Sequence, residues 1–267
     1  MSNTINEIAE AVKRMDEQLR TDLLCGDRLD EYMLFDSRHK KQRDRLKSCE
    51  NSISDHVRAM VYSMLSAGRR WKNIEDKKVQ IDNIFLNYDP KRLEGEPAES
   101  LENQIRAIAC GNRRIKQQMK AISHNVEKLK SFEKQCGSID GYYQKLMDKT
   151  NSSKALVKSL SQKDNKLAEL GVALVAEYLR QVGYDIPKPD THIRRVLGNR
   201  ILSCSPKEIV SEFEVFDIIA EIAADMNISA AKVDFILWTY CADGYGEICT
   251  KNKPKCNKCV AKEICKM

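Results

Sequence analysis

The stretch "ICTKNKPKCNKCVAKEIC", residues 248–265, places Cys249, Cys256, Cys259 and Cys265 in the pattern C-x6-C-x2-C-x5-C, in a chain with ten cysteines altogether. Four thiols so close together are metal or cluster ligands by type. Zinc ribbons and fingers pair two C-x2-C knuckles across a longer spacer. Here a single knuckle is flanked by spacings of six and five, a compact wrap suited to the corners of a cubane, for which thiolates are the normal ligands. Pro254 stiffens the turn before the second cysteine.

Charge singles out the same segment. The chain is formally +6, and residues 249–267 carry six lysines against Glu263 alone, so the other 248 residues average close to neutral. A basic patch beside a thiol constellation points to an anionic partner, most economically nucleic acid; a solvated lysine tail is the plainer alternative. With 42% hydrophobic and 31% charged residues over 267 positions, the chain has material for one large or two modest domains. No apolar run reaches membrane-spanning length and the N-terminus has no apolar signal core, so no membrane partner and a cytoplasmic location are expected, bound to the nucleoid if the source is bacterial. Reduced thiols follow from that compartment, and the scattered Cys25, Cys49, Cys110, Cys136, Cys204 and Cys241 read as small buried hydrophobes.

A second segment, "LAELGVALVAEYLRQVGYDIPKPDTHIRRVLGNR" (residues 167–200), joins a Gly-containing turn and helix to an aspartate that opens another helix. Together with the terminal cysteine spacing, it resembles the endonuclease III family of helix-hairpin-helix DNA glycosylases. "MLSAGRRW" (64–71) resembles the helix end leading into that family's DNA-probing loop, and "LENQIRAIACGNRRIKQQMKAI" (101–122) the helix pair that follows. The resemblance covers residues 50–267 in order and leaves the first fifty uncovered.

The resemblance implies a [4Fe-4S] cluster on Cys249, Cys256, Cys259 and Cys265, with Lys251, Lys253 and Lys255 on the loop that meets the DNA backbone. It also puts Asp190 at the catalytic position, where one carboxylate stabilises the oxocarbenium formed as the N-glycosidic bond breaks. As a residue, Asp190 reads equally well as the N-cap of the helix it opens. Gly171 matches the second hairpin glycine. Glu169 replaces the first, placing a carboxylate where backbone amides usually cradle a phosphate. The position of the strand-cleaving lysine is Ala173, which argues for base removal by water, since lyase chemistry needs an amine. Gly68 replaces the glutamine that fills the gap behind a flipped base, leaving Arg69, Arg70 or Trp71 as stand-ins, although each reads more readily as a phosphate contact or a packed residue.

Other residues carry weaker signals. His192 reads as part of a helix start, and Arg194 and Arg195 as braces or solvated surface. Arg113 and Arg114 read as phosphate contacts or as a solvated helix face. Lys188 lies on the approach to Asp190, and Tyr178, Trp238 and Tyr240 are simplest as core.

Periodicity is helical throughout, with no sustained strand alternation. Ile5, Ile8, Val12, Met15 and Leu19 form one stripe that ends near Cys25-Gly26. A helix is expected over 53–66 with Ser54 or Asp55 as N-cap, a loop over "LNYDPKRLEGEPAES", and breaks at Gly111-Asn112, Cys136-Gly137 and Asn151-Ser152-Ser153. Further helices are expected over 207–225 and in "AAKVDFILWTYCADG". The fold class is all-α. The family topology implies a lobe of 1–50 and 187–267 carrying the cluster, a six-helix barrel of 51–186 with its hairpin near 163–181, and a DNA cleft between the lobes. The expected function is hydrolytic removal of a damaged or mispaired base from double-stranded DNA by a monomer. Two alternatives stand beside it: a non-catalytic DNA-binding relative, and a bifunctional glycosylase/lyase using another lysine.

Overall fold

A computed structural model of the chain describes residues 3–148, 152–162 and 164–267. The described residues form fifteen α-helices and no strand. The first part of the chain runs through α1 (Ile5–Gln18), α2 (Asp27–Met33), α3 (Phe35–Lys47), α4 (Ile53–Leu65), α5 (Trp71–Glu75), α6 (Lys78–Ile84) and α7 (Pro90–Glu94). Then come α8 (Ala98–Ala107), α9 (Ile115–Cys136), α10 (Ile139–Asp148), α11 (Ser153–Gln162) and α12 (Val172–Gln181). Last are α13 (Thr191–Val196), α14 (Glu212–Met226) and α15 (Ala230–Cys241). None of the described helices is long and apolar enough to cross a membrane.

The chain divides into two compact units, residues 1–40 with 185–267, and residues 41–184. The division falls inside α3, ten residues before the boundary expected from sequence. The reason is local: the C-terminal half of α3 lies against the chain at Gly183, where a β-carbon would sit 2.4 Å from the Gln42 carbonyl oxygen.

In the first unit, α1 is opened by a reciprocal box between Thr4 and Glu7. Its stripe of Ile8, Val12 and Met15 is buried, and Leu19 continues it into a π-turn over Leu19–Leu23. The stripe packs on Val215, Ile219 and Ile222 of α14 and Val233, Leu237 and Tyr240 of α15. Each such side chain contributes about 1.5–3 kcal/mol by burial. The first fifty residues therefore include the central helix of this unit and two more helices, α2 and α3, that the sequence pattern did not announce.

The second unit is built on α4, which packs against α12 and α9, with α8 and α10 also on α9. Six of its helices, α4 and α8 to α12, have ten or more residues, and α5, α6 and α7 are short. The α4 N-cap is Ser52, one residue before the helix, and Asp55 completes its box, so the cap lies two residues ahead of Ser54. The loop expected over 86–100 is instead mostly helical: a 3-10 turn, then α7, whose N-cap Asp89 accepts from Lys91 and Arg92 amides ahead of a first-turn proline, then the start of α8. The helix expected from residue 207 begins at Glu212, and Ile209 is 46% exposed. The breaks at Gly111-Asn112 and Cys136-Gly137 are present. The break at Asn151-Ser152-Ser153 begins at Asn151, outside the described residues, as does Lys163 at the start of the hairpin segment.

Tyr178 is buried, as expected of core, but it is not an apolar contact alone. His56 Nδ1 lies 2.7 Å from its hydroxyl and the Tyr143 hydroxyl 3.0 Å. His56 Nε2 is 3.3 Å from Asp140 Oδ1, a polar contact whose geometry falls short of a hydrogen bond. Asp140 Oδ2 accepts from Asn51 Nδ2 at 2.9 Å. This network ties α4, α10 and α12 together through buried polar groups, where each lost partner is costly. Burial raises the Tyr178 and Tyr143 phenols far above their usual range.

Candidate active site

Asp190 belongs to the first unit. It is the N-cap of α13, and its Oδ1 accepts from the amides of His192 (2.8 Å) and Ile193 (3.1 Å). Its Oδ2 makes no hydrogen bond among the described residues, so half of the carboxylate is committed to the helix and half is available. The chain leading to it is held from the N-terminal end of α15: Asp185 accepts from the Ala231 amide (2.9 Å) and Asp234 from the Lys188 amide (3.2 Å). Along α13, His192 is half-buried, and Arg194 Nε donates to the Val210 carbonyl at 2.6 Å. Arg195 reaches Cys249, with Nη1 3.6 Å from Sγ and Nη2 donating to the carbonyl. Both arginines act as braces.

The hairpin segment belongs to the second unit. Glu169 has φ +63°, the left-handed backbone that a glycine usually supplies. Its carboxylate is held by Arg114 through both nitrogens, Nη2–Oε2 at 2.7 Å and Nε–Oε2 at 3.1 Å. The turn therefore keeps a glycine-like path while its negative charge is paired. Arg114 is thus paired with Glu169 although its side chain, like that of Arg113, is exposed. Asn125, fully buried on α9, grips the Ala168 backbone at both ends: Nδ2 donates to its carbonyl at 3.0 Å and Oδ1 accepts from its amide at 2.7 Å.

Gly171 is the exposed N-cap of α12, with φ −81° and nothing within 4 Å of where a β-carbon would stand. No side chain caps this helix, so its first-turn amides are open donors at a positive helix end. Ala173 sits in that first turn.

The "MLSAGRRW" segment is also in the second unit. The Met64 carbonyl, near the end of α4, accepts from Asn112 Nδ2 (2.9 Å), Gln118 Nε2 (3.1 Å) and the Ala67 amide (3.2 Å). Beyond this anchor the chain turns at Gly68 (φ +64°) and exposes Gly68, Arg69 and Arg70. Trp71 starts α5 and lies against Tyr62, 6.4 Å between ring centres, so it is a packed residue.

The four terminal cysteines line a single cavity of about 90 Å³ in the first unit, walled by Met15, Val196, Leu237, Tyr240 and Ile248. Among the described residues no three Cys, His, Asp or Glu side chains meet closely enough for one metal ion, so the thiols face a shared space rather than a shared point. An all-thiol donor set is the set of soft metals and iron–sulfur groups. Cys249 is held below the usual thiol range, first by hydrogen bonding from Cys241 and then by Arg195. Cys241, buried beside it, is pushed far up. Cys241 was read from sequence as plain core, and only the fold brings it to this cavity. Lys251, Lys253 and Lys255 are exposed on the loop between the first two cysteines, with Lys255 3.2 Å from Glu247. Tyr240 donates to Gln18 at 2.7 Å and accepts from the Val260 amide at 3.1 Å, tying the cysteine segment to α1. Trp238 is half-buried, edge-on to Tyr245.

Three residues that organise these sites carried no sequence signal for it: Asn125 and Gln118, on a helix with an ordinary apolar stripe, and Cys241. No protein-family model matches the chain, and no curated protein matches it. The crystal structure of the 8-oxoguanine DNA glycosylase of Thermotoga maritima is similar, with a TM-score of 0.60 at 16% sequence identity, covering 90% of this chain and 98% of that one. The chain therefore has the all-α fold of a helix-hairpin-helix DNA glycosylase.

Proposed function

We propose that the chain is a DNA N-glycosylase that removes a damaged or mispaired base by hydrolysis, with Asp190 as its catalytic carboxylate. The observation that carries the proposal is the divided role of that carboxylate, on a chain with a DNA glycosylase fold. Oδ1 is fixed by two amides, which sets the side-chain direction without a mobile partner, and Oδ2 is left to face substrate. A fixed carboxylate stabilises the oxocarbenium as the base leaves and orients the attacking water. Open amides at the start of α12 suit a backbone phosphate. Ala173 supplies no amine, so no imine forms from that position and the abasic strand is left intact.

The same reading assigns a [4Fe-4S] cluster to Cys249, Cys256, Cys259 and Cys265. Support comes from the four thiols on one cavity and from the Arg195 contact, which favours a thiolate at Cys249. Cys249, Cys256, Cys259 and Cys265 would hold the cluster, whose role there would be structural, and the exposed Lys251 and Lys253 on the same segment would meet the DNA backbone.

One observation favours the non-catalytic alternative: the exposed Gly68 has no side chain to fill a stack. The test is base release from a panel of lesion-containing duplexes, comparing the chain with Asp190→Asn. The proposal expects release that the variant loses while it still binds DNA. Binding without release on every lesion tried would select the alternative.

A further inference from the structure

The near-neutral average of residues 1–248 hides a second basic segment. Helix α3 carries six Lys and Arg against two Asp over thirteen residues, a net +4. With +5 on residues 249–267 and +6 overall, everything else sums to −3. Two of the α3 charges are spoken for within the fold: Arg45 pairs with Asp55 at 2.8 Å, and Asp36 with the buried Lys232 at 3.2 Å. Arg38, Lys40, Lys41, Arg43 and Lys47 make no ion pair among the described residues, and all but Arg43 are exposed. Asp44, the other acidic residue of the helix, is exposed.

This is a fixed ridge and not a tail. Phe35, His39, Gln42 and Leu46 recur at helical spacing on the inward side. Phe35 stacks on Phe235 with 4.1 Å between centres, His39 is buried, and the Gln42 backbone lies against Gly183. The cations lie along roughly 20 Å of one helix, and a duplex presents one phosphate charge per roughly 1.7 Å of its axis.

We propose that the outward face of α3 is a second duplex-DNA-binding surface that contacts backbone phosphates without reading sequence. The face has no aromatic side chain for stacking bases, which sets it apart from a single-strand platform. The apolar side of the helix is already covered by protein, so none is free to enter a lipid surface. The choice of duplex DNA as partner rests on the function proposed above, but the surface and its test do not require catalysis.

The experiment measures binding of the full chain to an undamaged duplex across a salt series. The variant carries Arg38→Gln, Lys40→Gln, Lys41→Gln and Lys47→Gln together. The slope of log K against log salt should shrink by about two to four, with the thermal midpoint unchanged because the four side chains are exposed. Asp44→Asn should tighten binding about twofold at low salt, a gain that no misfolding produces. An unchanged slope in the quadruple variant, or a loss confined to vesicles rich in phosphatidylserine, would overturn the proposal. Absence of base release would sink the glycosylase reading while leaving these slopes as they are.

Discussion

Replacing Glu169 with glycine isolates the most unusual backbone position of the hairpin. At φ +63° a non-glycine residue costs about 1–2 kcal/mol, a cost that glycine removes. The same change deletes the Arg114 pair, whose arginine side chain is 60% exposed and which is worth about 0.2–1 kcal/mol. Glycine also frees the unfolded chain, at about 0.5–1 kcal/mol. The sum leaves Glu169→Gly within about 1 kcal/mol of the parent. Glu169→Ala keeps the strained backbone and loses the pair, so the glycine variant should be the more stable of the two by about 1 kcal/mol in urea unfolding.

DNA binding separates the chemistry from the fold. A carboxylate about 6 Å from a phosphate in water repels it by about 0.7 kcal/mol, and its removal also releases Arg114 toward the DNA. Binding of a short duplex, read by fluorescence anisotropy at low salt, should tighten about three- to tenfold in both variants. If the glycine variant is no more stable than the alanine variant, the backbone argument fails. If both bind more weakly than the parent, the hairpin is not where phosphate lies.

Asn125→Ala removes both hydrogen bonds to Ala168 in a buried site and should cost about 2–4 kcal/mol, visible as a lower urea midpoint. Glu214 is held down to about 2, first by its hydrogen bond to Lys207. Because its folded value lies below its unfolded one, its contribution is present above pH 5 and fades as pH falls toward 2. Glu214→Gln should therefore cost about 1 kcal/mol at pH 7 after allowance for solvent screening, and close to nothing at pH 2. Purified without oxygen, the protein should be brown and contain iron and sulfide, and Cys256→Ala should lose the colour and lower the thermal midpoint; a colourless protein with one tightly held zinc would remove the cluster from the account.

Much of the architecture was legible because it is written in local patterns. The α1 stripe from Ile8 to Leu19 and the breaks at Gly111 and Gly137 need only helical spacing and turn chemistry. Where the reading slipped, two local signals competed. Pro90 lies in the stretch expected as a loop, but after Asp89 it is a first-turn proline behind an N-cap, which starts a helix. Residues 207–211 lie in the stretch expected as helix, but α14 begins only at Glu212, and the preceding residues are held by distant contacts such as the Val210 amide to the Arg194 carbonyl.

The site was legible in part. Asp190 announces its cap through the residues after it. The pairing of Glu169 with Arg114, 55 positions away, and the arrival of Cys241 at the thiol cavity are tertiary events with no local trace. The charge on α3 was present in the composition but cancelled in the average over its neighbours.

The central claim is that this chain cuts the bond between base and sugar with water. The direct measurement is to follow a lesion-containing duplex in one reaction, assaying free base by mass and the strand by denaturing gel before and after alkali, with borohydride present in a parallel sample. The account predicts free base, a strand that breaks only after alkali, and little protein trapped on DNA. Free base accompanied by a strand already broken and abundant trapped protein would contradict it.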